Sequence, residues 1–180
     1  DYSSGPQKKL LVDGSGFTNA RPATIISESG HFLWNFTEIE LVRSGNVELV
    51  DFFYPFLTPQ YRDNDVLTLV ESNFKGDNTS LLYTHGTINA TAVDELRYFG
   101  FYIRSDGKVI LPPSLDVDGV NFEIQGTIIG LSHIQVWNRG TLSLGGSGKT
   151  QNDPYFRFSS LELLLGSTLR FPSNTTTGIG

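Results

Sequence analysis

Apolar and polar residues alternate along most of the chain in short bursts, and the bursts come in pairs. Counted from the first apolar residue of a pair, apolar side chains recur at +2, +8 and +10, with a glycine near +6. Ile39, Leu41, Gly45, Val47 and Leu49 follow this pattern, as do Phe101, Ile103, Gly107, Val109 and Leu111. Ile134, Val136, Gly140, Leu142 and Leu144 repeat it. Leu161, Leu163, Leu169 and Phe171 do so with Gly166 one place early, and Ile26, Gly30, Phe32 and Trp34 do so behind a polar Thr24. Looser copies are Leu81, Tyr83, Gly86 and Ile88, and Phe122, Ile124, Gly126 and Ile128.

Side chains alternate across a strand, so each burst reads as a short strand with one buried face. Glu40, Glu48, Gln135, Ser143, Glu162 and Arg170 fall between the apolar positions and are predicted to face solvent. The intervening glycine suits a tight corner, where a positive φ carries no steric cost. The one stretch with helical character is 89–98, where Thr91 is a candidate cap with Glu95 four residues on, and it reads as one short helix or a turn.

The fold class is all-β, and two architectures generate the paired unit. Each unit can be a hairpin of an antiparallel β-sandwich or jelly roll. Alternatively, each glycine turn is a corner of a β-solenoid whose strands stack on neighbouring coils. Gly86, Gly107 and Gly126 are spaced 21 and 19 apart, and Gly45 to Gly86 is 41, close to two such steps. The intervals from Gly126 to Gly140 and from Gly140 to Gly166 depart from that period. The spacing favours the solenoid, in a single domain over 1–180 with its repeat region over 22–172.

Gly86-Thr87-Ile88, Gly126-Thr127-Ile128 and Gly140-Thr141-Leu142-Ser143-Leu144 resemble the iterated phrases of right-handed parallel β-helix proteins. That group holds cell-surface adhesins and fungal wall proteins as well as pectin-lyase-like enzymes. The resemblance implies an elongated surface protein with stacked rungs.

Composition narrows the setting. A chain of 180 residues can bury roughly two-thirds of its unfolded surface without staples. The net charge is −6, and Lys8 and Lys9 form the one basic pair, which excludes a phosphate-neutralising nucleic-acid surface. Without cysteine there is neither a disulfide nor a thiolate metal site. No apolar run approaches the length of about 18 residues that spans a bilayer. The absence of methionine marks the chain as a processed or excised part of a larger protein. Four sequons, at Asn35, Asn78, Asn89 and Asn174, point to an extracellular, N-glycosylated setting.

Candidate chemistry is sparse. Gly145 to Thr150 ends like a phosphate-binding loop, but Ser143 stands where its first glycine belongs and Pro154 interrupts the helix it needs, so no nucleotide is expected. His31, His85 and His133 lack metal-ligand spacing. The clusters Asp63, Asn64, Asp65 and Asp116, Asp118, Gly119 do not complete a calcium loop and read as turns. No metal or cofactor is therefore assigned. Glu40, Glu48 and Glu162 are candidate carboxylates for a polysaccharide lyase or hydrolase, without a companion Arg or Lys cluster in the sequence. Tyr54, Phe56, Tyr61, Trp137, Tyr155 and Phe156 are candidates for stacking on sugar rings, or for packing over the side of the repeat.

The functional expectation is a non-catalytic extracellular, cell-wall or matrix domain for adhesion or assembly. Its partners would be surface proteins or glycans, and self-association is open. A carbohydrate-binding sandwich module and a β-helix polysaccharide enzyme are the alternatives.

Overall fold

The computed structural model describes residues 9–16, 23–28, 38–52, 67–70, 74–145, 149–150 and 155–171. These residues form nineteen strands and no helix, and every strand pairing among them is parallel.

From residue 81 onward the chain visits three sheets in rotation. β7 (Leu81–His85), β8 (Thr87–Ala92) and β9 (Glu95–Leu96) are followed by β10 (Gly100–Ile103), β11 (Lys108–Ile110) and β12 (Ser114–Asp118). Next come β13 (Asn121–Ile124), β14 (Thr127–Ile129) and β15 (His133–Trp137), then β16 (Thr141–Leu144), β17 (Lys149–Thr150), β18 (Ser160–Leu163) and β19 (Thr168–Arg170). From β10 on, each strand pairs with the strand three before it. Upstream lie β1 (Lys9–Asp13), β2 (Ala23–Glu28), β3 (Glu38–Val42), β4 (Val47–Phe52), β5 (Leu67–Val70) and β6 (Phe74–Gly76). The longest sheet has the order β19-β16-β13-β10-β7-β4-β2, beside sheets β17-β14-β11-β8-β5, β18-β15-β12-β9 and β1-β3-β6.

The glycine turns are corners between sheets. Phe101 and Ile103 lie in β10 of the seven-stranded sheet, whereas Val109 lies in β11 of the five-stranded one. The hairpin reading, and with it the antiparallel sandwich, does not describe these sheets. Gly86, Gly107 and Gly126 stack at one such corner, joined by Lys108 N–H to Gly86 O (2.7 Å) and Thr127 N–H to Gly107 O (2.8 Å). Gly86 has φ +70°, and a Cβ on Gly126 would run into the carbonyl oxygens of Arg104 and Gly107. Glycine is required there by the close approach of successive passes.

Equivalent inward positions stack into apolar columns: Val47, Leu82, Phe101, Phe122 and Leu142 in one, Ile88, Val109 and Ile128 in another. All eight are buried, and the Phe101 and Phe122 rings stack at 5.9 Å. The space among Phe74, Leu82, Val93, Leu96, Phe99 and Phe101 holds no water-sized sphere, so a ligand has no room there.

Several expectations need correction. Residues 89–98 are strand ends and turns: β8 and β9 occupy the stretch, because Ile88, Ala90 and Leu96 turn inward with strand spacing. In β7 the inward residues are Leu82 and Thr84, so Leu81 and Tyr83 lie on the outer face. Adjacent leucines at 81 and 82 made both phases plausible, and the neighbouring Phe101 selects Leu82. Ser143 is buried, because it stands between the longer Glu123 and Arg170 on adjoining strands. Leu163 and Phe171 are each 42% exposed, since among the described residues β18 and β19 have a neighbouring strand on one side. Lys149 and Thr150, at the end of the glycine-rich stretch, form β17 and pair with β14.

Candidate functional site

The outer face of the seven-stranded sheet collects polar residues from distant parts of the chain. In-register pairing places Glu48, Tyr83, Tyr102, Glu123, Ser143 and Arg170 in one row across six strands. A second row, two residues further along each strand, begins with His85 and continues through Arg104 and Gln125 just beyond the ends of β10 and β13. Parallel strands lie ~4.8 Å apart, so each row repeats at that interval.

Within these rows the side chains form one connected network. The His85 ring donates Nε2–H to Glu48 Oε1 at 2.7 Å and Nδ1–H to Asp106 Oδ1 at 2.8 Å. Burial works against the imidazolium, but the hydrogen bonds to Asp106 and then Glu48 outweigh it and hold the pKa above the usual histidine range. Arg104 Nη2 lies 3.5 Å from the same Glu48 oxygen. Its guanidinium carbon sits 4.5 Å from the Tyr83 ring centre and 4.8 Å from that of Tyr102, and the two rings are 5.2 Å apart. Arg104 Nε is buried and has no hydrogen-bond partner among the described residues. The faces of two rings therefore supply much of what holds the cation. Burial pushes both phenols above the usual tyrosine range; at Tyr102 the Glu123 carboxylate adds to this, while at both positions Arg104 opposes it. Both hydroxyls thus stay protonated at neutral pH. Gln125 Nε2 donates to Glu123 at 2.9 Å and closes the row.

This cluster was not foreseen as a unit. Glu48 was a candidate carboxylate, but its Arg and His companions lie 56 and 37 residues away. Tyr83 had been assigned inward. The spacing of 19 between Tyr83 and Tyr102, and again between His85 and Arg104, is the one signal that could have aligned them.

The other candidates are scattered. Glu40 pairs with Lys9 at 2.5 Å, and Glu162 accepts from Gln135 at 3.1 Å in the four-stranded sheet. Trp137 is half-buried in β15 opposite Asp118, Tyr155 is exposed, and Phe156 packs on the core beside Phe158. Tyr54, Phe56 and Tyr61 lie outside the described residues, as do Asn35, Asn174, His31 and the Asp63–Asp65 stretch. Asn78 is exposed in a turn with φ +57°, whereas Asn89 is half-buried in β8 and accepts hydrogen bonds from Thr91. His133 bonds to Ser160. Asp118 accepts from Asn138 at 2.6 Å, and Asp116 has its pKa raised by burial, then by Asp94 and Asp118. Among the described residues no three His, Asp or Glu side chains converge as a metal site. Lys149 and Thr150, the end of the glycine-rich stretch, are in a strand, so no helix N-terminus completes a phosphate cradle there.

Among the described residues no helix is long and apolar enough to cross a membrane. No protein-family model, curated protein or solved structure matches the chain.

Proposed function

We propose that the chain is a right-handed parallel β-solenoid of the extracellular surface, cell wall or matrix, and that it acts in adhesion or assembly without catalysis. The outer face of the seven-stranded sheet is its contact surface. The observation that carries this reading is the Glu48–His85–Asp106 and Arg104–tyrosine network, which spans four strands from β4 to β13 on one rigid face. Rotation of the chain through three sheets, with pairing at every third strand, supports the solenoid. Engagement of both His85 ring nitrogens by carboxylates of this chain supports a fixed surface, since neither nitrogen is left facing a ligand.

Coupling the protein to beads and measuring retention on wall or matrix material tests the reading. Retention above that of beads coated with denatured protein is expected, and its absence sinks the proposal. Secretion from a eukaryotic host tests the setting: Asn78→Gln should remove one glycan's mass, seen after peptide N-glycosidase treatment. A full-length product with no glycan at Asn78 argues against an extracellular origin.

A second reading has one observation in its favour. Glu48, Asp106, Arg104 and His85 bring acids and cations together on a single face, which a polysaccharide-active enzyme would need. Release of reducing ends or unsaturated products from polysaccharide, lost in Glu48→Gln, would favour it.

A further inference from the structure

We propose that this face binds an extended, uncharged polysaccharide lying across the strands, along the direction in which they stack. The inference rests on the reading of this face as the contact surface and names the chemistry of its ligand.

The first argument is direction. In-register parallel pairing repeats the outward side chains at ~4.8 Å per strand, perpendicular to the strands. From Glu48 through Tyr83 and Tyr102 to Glu123 the row advances three strand steps, roughly 14 Å. A linked pyranose chain advances by a comparable length per sugar, so successive rings would meet successive side chains. An extended peptide would need a free strand edge instead, and this row lies on the face of a sheet.

The second argument is functional groups. Sugar hydroxyls are both donors and acceptors on a ring with apolar C–H faces. The row offers carboxylates that accept, a guanidinium that donates, and phenols that do either. Glu48 is held by His85, Arg104 by two rings, and Glu123 by Gln125, so little side-chain freedom is lost on binding.

Charge selects among polysaccharides. On the face itself Glu48, Asp106 and Glu123 are matched by Arg104, Arg170 and protonated His85, so it offers an anion no net positive charge, and the whole chain carries −6. A uronate- or sulfate-bearing polymer would be opposed by that overall charge. A neutral one meets no such barrier.

The test uses the full 180-residue chain in affinity electrophoresis and calorimetry. The probes are neutral linear oligosaccharides and polymers (β-glucan, xylan and mannan series), with polygalacturonate and heparin as the anionic arm. Affinity should rise with oligomer length until the row is spanned, and neutral probes should bind more tightly than anionic ones. Tyr102→Ala and Glu123→Gln should each weaken binding about tenfold, whereas Gln135→Ala on the four-stranded sheet should leave it unchanged. Tyr83→Phe and Tyr102→Phe keep the rings and remove only the hydroxyls. A severalfold loss in these variants, with unchanged thermal unfolding, supports direct contact. Preference for polygalacturonate or heparin, absence of neutral-sugar binding, or indifference to Tyr102→Phe and Glu123→Gln overturns the inference. If beads still adhere to matrix, and Tyr102→Ala abolishes this without any sugar binding, the partner is a protein and the inference falls while the contact-surface reading stands. If beads do not adhere at all, that reading falls.

Discussion

Gly126 sits where two successive passes of the chain come close enough that no side chain fits. A Cβ there would collide with the backbone oxygens of Arg104 and Gly107, and backbone cannot move aside as a flexible side-chain tip can. Gly126→Ala should therefore cost about 2 kcal/mol or more, well beyond a typical surface change, read as a fall in Tm with a secondary-structure spectrum still dominated by strand. Asp116 works in the opposite sense. Burial, followed by Asp94 and Asp118, raises its pKa, so ionisation at neutral pH disfavours the folded state. Its contribution is best at low pH and is lost as pH rises through the folded-state pKa. Asp116→Asn should raise Tm at pH 7, on the order of 1 °C, and the gain should shrink toward pH 4; a lower Tm at pH 7 would contradict this. These two residues differ in legibility. The glycine column at 86, 107 and 126 was visible as a 21- and 19-residue spacing, because a backbone constraint repeats wherever the corner repeats. The repulsion at Asp116 was not, because Asp94 is set beside it by a turn whose path no local pattern specifies.

At the scale of strands, the inward columns and the outward rows obey different rules. A buried column demands only size and apolarity, so its members announce themselves through alternation, as Phe101, Ile103, Phe122 and Ile124 do. Phe122→Ala should cost about 3–5 kcal/mol, since it removes a fully buried ring stacked on Phe101. Chemical denaturation would show this as a lower midpoint. Outward rows carry the candidate site and have no such signature. Tyr83 looked like core because Leu81 and Leu82 allow either phase, and the choice is made by Phe101 on the adjoining strand. His85 is the clearest product of pairing. Its raised pKa stabilises the fold fully below about pH 6.5, the unfolded value, and that stabilisation is lost as pH climbs through the folded one. His85→Gln should thus lower stability by about 1 kcal/mol at pH 6, typical of partly exposed pairs, and by less at pH 8.5. A penalty that grows toward alkaline pH would show that His85 is not held as an imidazolium.

At the scale of the molecule, the strand contacts among the described residues run from each pass of the chain to the one before and the one after. Stability in such an arrangement is a sum of neighbour terms. From β2 to β19 the longest sheet advances six strand steps, ~29 Å. On the proposed reading, the side chains of its outer row would gain affinity for a ligand by repetition, one modest contact per strand.

The interval between β17 and β18 is where that repetition relaxes. Thr141 pairs with Thr168 across 27 residues, against 20 between Asn121 and Thr141, yet β18 and β19 keep their register. Most of the extra length is taken up between Thr150 and Ser160, where Arg157 N–H bonds to Thr150 Oγ1 at 2.7 Å and Phe156 and Phe158 settle against the core. The chain can thus bulge at a corner without disturbing the strands on either side. Added length beside the exposed Tyr155 would therefore leave the register of β18 intact, making this corner the natural attachment point for a label or epitope.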